Sequence, residues 1–218
     1  MSSPAKTPNP RSPDIASRDM PLVVRPLTES RWKDLETIFI ARGCSVARGC
    51  WCMYYRVRGK GAYTRPGDEQ RSRSKKALKA LIAQDPPPGL LGYSGKTPVG
   101  WISLGPRESY AKLARSTTMK PVDDRPVWSV VCFVVPSEHR KQGIARELLA
   151  GAIRYASRRG VRLLEGYPVD RSDPSAPQAP WFGSKRMFDE AGFEEVARHK
   201  PARPIVRLNL ARPSEGTR

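Results

Sequence analysis

Three cations and a glycine, Arg140, Lys141, Arg146 and Gly143, fall within seven residues, between a strongly apolar run and an amphipathic one. Trp128 to Val135 is almost continuously apolar and rich in β-branched residues, the composition of a strand covered on both faces. From Ile144 the apolar side chains recur at 144, 148, 149, 152, 153 and 156, the spacing of a helix with one buried stripe. The join is Arg140-Lys141-Gln142-Gly143-Ile144-Ala145. A turn that enters a helix presents unpaired N–H groups and the positive end of the helix dipole. A glycine there lets a ligand approach the main chain closely. The pattern predicts a site for a phosphorylated ligand.

Four cysteines, Cys44, Cys50, Cys52 and Cys132, offer thiol chemistry. Three lie within nine residues, but Cys-x-Cys departs from the usual spacing of zinc ligands and no histidine stands nearby, so no metal is expected. Nor do they resemble the disulfide framework of a small secreted protein; reduced thiols in a cytoplasmic protein are expected.

The chain has 218 residues, 39% of them hydrophobic and 28% charged, enough for one full core. No apolar run is long enough to cross a bilayer. The first twenty residues form a Pro/Ser-rich stretch without an apolar signal segment, read as a disordered tail; one domain is expected over 21–212, with a short tail over 213–218. The formal charge is +18, and segments 56–79, 140–162 and 196–218, at net +7, +6 and +5, account for the whole excess. Such a charge suits anionic partners, a nucleic acid among them, although no nucleic-acid-binding motif accompanies it.

Strands are expected over 22–27, 90–93, 99–104, 128–135, 161–166, 193–198 and 205–210, with helices from Trp32 to about Arg42, Asp68 to Gln84, Ile144 to about Gly160 and Trp181 to Ala191. A helix that crosses between the strands at 128–135 and 161–166 implies that they run parallel. The fold class is α/β with an α+β-like character: a mixed central sheet of six or seven strands and four main helices.

Arg140-x-x-Gly143-x-Ala145 after an apolar strand resembles the acetyl-CoA-binding signature of the GNAT N-acetyltransferase superfamily. Leu22-Val23-Val24-Arg25-Pro26-Leu27 is similar to the opening strand of that family, Pro98-Val99-Gly100-Trp101-Ile102-Ser103 to its central hairpin, and Glu190-Ala191-Gly192-Phe193 to the close of its last helix. The resemblance spans about residues 21 to 212 and implies transfer of an acetyl group from acetyl-CoA to a primary amine within a ternary complex. The fourth and fifth strands would part to admit the donor. Phe133 and Val135 would offer main-chain groups to its pantetheine arm, and Val134 an N–H to the oxyanion. Arg140, Lys141, Gln142, Gly143, Ile144, Ala145 and Arg146 would hold the pyrophosphate.

The family's usual acidic tyrosine, four residues before the glycine of Gly192-Phe193, is Phe188 here, and its frequent asparagine is Trp181. Tyr167 is then the candidate acid and Glu165 the candidate base. By position between the first two helices, Trp51, Tyr54 and Tyr55 wall the acceptor pocket with Cys52 alongside, or Cys50, Trp51 and Tyr54 plug the core under an irregular loop. Asp123, with Asp124, is placed to receive a cationic acceptor. That acceptor is a small amine, a peptide N-terminus or a protein lysine; membrane association is not expected, and the protein is a monomer or homodimer. The alternative is a catalytically degenerate fold that retains an acyl-CoA or binds nucleic acid without turnover.

Overall fold

The computed structural model describes residues 21–57, 67–174 and 180–210. The tails expected at 1–20 and 213–218 lie outside the described residues. The strands are β1 (Val23–Pro26), β2 (Gly89–Ser94), β3 (Thr97–Pro106), β4 (Trp128–Val134), β5 (Leu163–Gly166), β6 (Glu194–Lys200) and β7 (Arg203–Asn209). The helices are α1 (Trp32–Ile40), α2 (Ser45–Cys50), α3 (Asp68–Ala80), α4 (Ile144–Arg158) and α5 (Lys185–Glu190). One seven-stranded sheet runs in the order β1-β2-β3-β4-β5-β7-β6, antiparallel throughout except between β4 and β5.

Helix α4 lays Ile144, Leu148, Leu149, Ala152 and Ala156 on one face of the sheet, the stripe expected from their spacing. Helices α1 to α3 cover the other face near β1 to β3, around Phe39, Leu78 and Trp101. The excursion between β3 and β4 covers the rest of that face, through Tyr110, Leu113 and Met119 packed against Val131, Tyr167 and Ile205.

Two elements differ from expectation. The stretch after α1 contains a six-residue helix, α2, which its glycine and β-branched residue conceal in the sequence. The last helix is shorter than 181–191, because Gly183 turns the chain at φ +75° and Ser184 caps a new start, its Oγ accepting the Met187 N–H at 3.3 Å.

Under β5 and β7 lies a closed ion network. Glu165, fully buried, accepts from Arg107 and from Arg207 Nε at 2.8 Å. It also accepts a hydrogen bond from the Tyr167 hydroxyl at 2.6 Å. Arg107 donates to Tyr167 Oη at 2.5 Å and to the Met119 carbonyl at 2.5 Å, and Arg207 donates to Asp123 at 2.7 Å. Two guanidinium groups thus tie the β3–β4 excursion to the sheet, and every charge has its partner, the condition for a buried ion cluster to persist.

Hydrogen bonds and charge from Arg207, with help from Arg125, hold the Asp123 carboxyl below the usual carboxylate range. A depressed folded pKa stabilises the fold above the unfolded value of about 4 and is lost as pH falls through the folded value. Asp123→Asn is therefore expected to melt lower than the wild type at pH 7, with the gap narrowing below about pH 4. Melting curves from pH 7 to pH 2 check this; a constant gap would assign the loss to packing instead.

Candidate active site

The site begins where β4 and β5 part. They pair only at Trp128–Leu164, Ser129–Glu165 and Val130–Gly166, after which β4 continues alone on that side to Val134. On its other edge β4 stays paired with β3, but Leu104 pairs with Val130 and Ser103 with Cys132, so Val131 is an extra residue. The packing records the same slip. Trp128, Val130, Phe133 and Val135 join the α4 side, whereas Val131, Cys132 and Val134 all face the other way. A bulge of this kind bends its strand and steepens the local twist.

Phe188 fills the mouth of the wedge on the α4 side. Its ring packs edge-on to Phe133 at 6.2 Å and to Phe193 at 4.9 Å, and it is fully buried. Gly166 permits this approach, since a Cβ there would lie 2.4 Å from Phe188 Cε1.

The parting opens into a cavity of about 940 Å³. One wall is β4 from Val131 to Val135, and a second is the turn into α4. Gly143 stands there at φ +77°, with open space where a side chain would project, and Lys141 is also left-handed at φ +59°. The amides of Gly143, Ile144 and Ala145 have no main-chain acceptor among the described residues. Arg140 is braced against the third wall, its Nη2 donating to the Gly43 carbonyl at 2.6 Å and its Nε to the Val135 carbonyl at 3.1 Å. Arg146 pairs with Glu190 at 2.8 Å in an exposed contact, while Lys141 makes no ion pair with a described residue. Amides, open space and cations together fit an anionic ligand such as a pyrophosphate.

The third wall runs from Gly43 through α2 to Tyr55, and the fourth comprises Trp181, Phe182, Met187 and Arg203. Here the expected aromatic group divides. Tyr54 and Tyr55 line the cavity, packed edge to face at 4.8 Å. Trp51 does not: it is buried, stacked on Trp32 at 5.7 Å and tilted on Phe39 at 5.1 Å, a plug of the core. Burial drives the Tyr55 phenol well above its ordinary pKa, so its hydroxyl keeps its proton at neutral pH.

All four cysteines reach the cavity wall. Hydrogen bonds among the thiols of Cys50, Cys52 and Cys132, with burial, raise Cys50 and Cys52 well above the usual thiol range, which keeps them neutral. Among the described residues no three His, Cys, Asp or Glu side chains are grouped to hold a metal ion.

The candidate acid and base lie elsewhere. Tyr167 and Glu165 belong to the buried network behind Val131 and are absent from the described lining, and Asp123 is committed to Arg207 and Arg125. No Asp or Glu is among the described lining residues. Ser103, Phe182, Met187 and Arg203 are among the lining residues that sequence reasoning passed over, and Arg203 is the charged one of these four. Its only signal was its place at the start of the strand Arg203-Pro204-Ile205-Val206, where a cation borders an apolar run.

The sequence profile of the "Acetyltransferase (GNAT) family" matches residues 52–176. No curated protein is significantly similar in sequence. Among solved structures, a GNAT-family acetyltransferase from Listeria monocytogenes is 10% identical with a TM-score of 0.52, over 87% of this chain and 95% of its own. A chain of the NatC complex bound to Gag peptide and CoA is 13% identical with a TM-score of 0.50, over 88% of this chain and 100% of its own. An acetyltransferase from Thermus thermophilus is 18% identical with a TM-score of 0.49, over 88% and 98%. At these identities the likeness is one of fold. The profile covers more than half of the chain, including β4, the cationic turn and α4, and the chain belongs to the GNAT acetyltransferase family.

Proposed function

We propose that this protein transfers an acetyl group from acetyl-CoA to a primary amine, the two substrates being held together in the cavity between β4 and β5. The observation that carries this reading is the junction of an unpaired strand edge, from Val131 onward, with an open, cationic turn at a helix N-terminus. The main chain at Phe133 and Val135 would extend the pantetheine arm along β4, and residues Arg140 to Arg146 would receive the phosphates.

In the transfer the amine lone pair attacks the thioester carbonyl, a C–N bond forms, the C–S bond breaks, the ammonium loses a proton and the thiolate gains one. The described lining offers no carboxylate, so water, or acceptor that arrives neutral, would replace a carboxylate base. Phe188 has no proton to give. Tyr55, on the wall, would be the donor to the thiolate in place of Tyr167, although burial raises its pKa and so weakens it as an acid. The main contribution of the fold is orientation in a dry site. A second reading, a CoA-binding module without turnover, is favoured by Phe188 and the lack of a lining carboxylate; release of free thiol on adding amines separates the two.

Gly143→Trp is expected to abolish acetyl-CoA binding, because the space over Gly143 is open and an indole there would fill it. Arg140→Ala should weaken binding by about 1–3 kcal/mol, the range for a charged hydrogen bond, and also loosen the Gly43 loop. Calorimetry on both variants, with circular dichroism to verify folding, tests the donor site; unchanged affinity in both would refute it. Tyr55→Phe should lower kcat by about 10²-fold, the lower end for a positioned acid, with acetyl-CoA affinity retained. Phe188→Tyr should keep the fold and raise kcat. Equal rates before and after that change would show that protonation of the thiolate does not limit turnover.

A further inference from the structure

Arg203 differs from the two arginines of the ion network, and unlike Arg56, whose Nε is also buried without a partner, it lines the cavity. Arg107 and Arg207 are neutralised by Glu165 and Asp123, whereas Arg203 forms no ion pair with any described residue. Its Nη2 donates to the Tyr167 carbonyl at 3.2 Å and reaches Met119 Sδ at 3.7 Å; its Nε is buried without a hydrogen-bond partner, and its Nη1 donates to no described atom. The guanidinium lies 3.9 Å over the Phe182 ring, which fixes its plane and leaves it on the cavity wall beside Tyr55.

A guanidinium does not lose its proton in a protein, so partial burial costs free energy until an anion arrives. Burial already acts against the charged form, and no described carboxylate pairs with it. Arg107 and Arg207 are placed otherwise: they sit behind the wall, matched by Glu165 and Asp123. Arg203 is on the wall, unmatched, and set among the aromatic rings of Tyr55, Trp181 and Phe182.

We propose that Arg203 binds a carboxylate carried by the acceptor, so that the amine substrate is an amino acid or a compound with that chemistry. This rests on the transferase reading of the cavity and adds the acceptor class to it. One guanidinium matches one monoanion and hydrogen-bonds it with good geometry. The aromatic rings around it suit an apolar or aromatic side chain between carboxylate and amine. The lack of lining carboxylates, which is unhelpful to a polyamine, is then what a substrate with its own negative charge requires.

The test uses the full chain saturated with CoA and two product-like probes, N-acetylphenylalanine and N-acetylphenethylamine, which differ by the carboxylate. Calorimetry is expected to give at least tenfold tighter binding of the carboxylate probe. Arg203→Met should reduce that preference below twofold with CoA affinity unchanged, and Arg203→Lys should restore part of it. A wild-type preference below twofold, or no measurable binding of either probe, overturns the proposal, as does a preference that survives in Arg203→Met. Tighter binding of N-acetyl-O-phosphoethanolamine than of the carboxylate probe overturns it in favour of a phosphate. Failure of CoA itself to bind is read in the separate CoA titration and removes the underlying transferase reading.

Discussion

The structure depends on one interruption: after three residue pairs, β4 and β5 stop pairing. An interrupted ladder leaves main-chain N–H and C=O groups unmatched, which is costly in a dry interior and useful where a ligand supplies the partners. Two local features keep the strands apart. The extra residue at Val131 bends β4 while its other edge stays paired to β3. The Phe188 ring occupies the space between Phe133 and the bare backbone of Gly166. Neither acts alone, since a bend without a filler would leave a void and a ring without Gly166 would clash. The cavity follows from these two, and the turn at 140–146 is carried to its edge because α4 must cross back over the sheet.

The part of the site made by consecutive residues was legible in the sequence. An apolar strand, a glycine turn with cations and a helix with a regular stripe are short-range signals, and the structure has β4, Gly143 at a left-handed φ and α4 at those places. The parts made by distant residues were not. Trp51, Tyr54 and Tyr55 stand within five positions and look alike in sequence. The left-handed turn at Trp51 and Cys52 sends the indole into the core and the two tyrosines to the cavity, and the sequence carries no sign of that turn. The last helix was overextended for the converse reason. Trp181, Met187 and Phe188 mimic a helical stripe, while Gly183 and Ser184 break it.

Glu165 illustrates a different limit. A lone acid on a buried strand reads as a candidate base, and nothing nearby in sequence contradicts that. Its two guanidinium partners come from 58 and 42 residues away and converge only when β7 lies against β5 and the β3–β4 excursion folds over both. A carboxylate whose oxygens already accept from two arginines and a tyrosine, fully buried and absent from the described lining, is out of reach of an amine in the cavity. Function and structure compete for the same residue types, and in this fold the third-dimension partners decide which prevails.

The network nevertheless bears on the cavity through Tyr167. The Tyr167 hydroxyl is fixed by Glu165 and Arg107, with Ser129 Oγ 2.8 Å away, and burial together with the Glu165 charge holds its proton in place. The carbonyl of the same residue accepts from Arg203 Nη2. Asp123, Arg207, Glu165, Tyr167 and Arg203 therefore form a continuous chain from the protein surface to the cavity wall. Asp123, Arg207 and Glu165, together with Arg107, are mutually neutralised, and the Tyr167 carbonyl ties their order to Arg203, which has no ion-pair partner among the described residues. Held at one nitrogen and backed by the Phe182 ring, Arg203 is oriented before any ligand arrives, which lowers the entropic cost of binding. If Arg203 binds the acceptor, Glu165 and Tyr167 would act on the site as positioning residues, through Arg203 rather than through the reacting atoms.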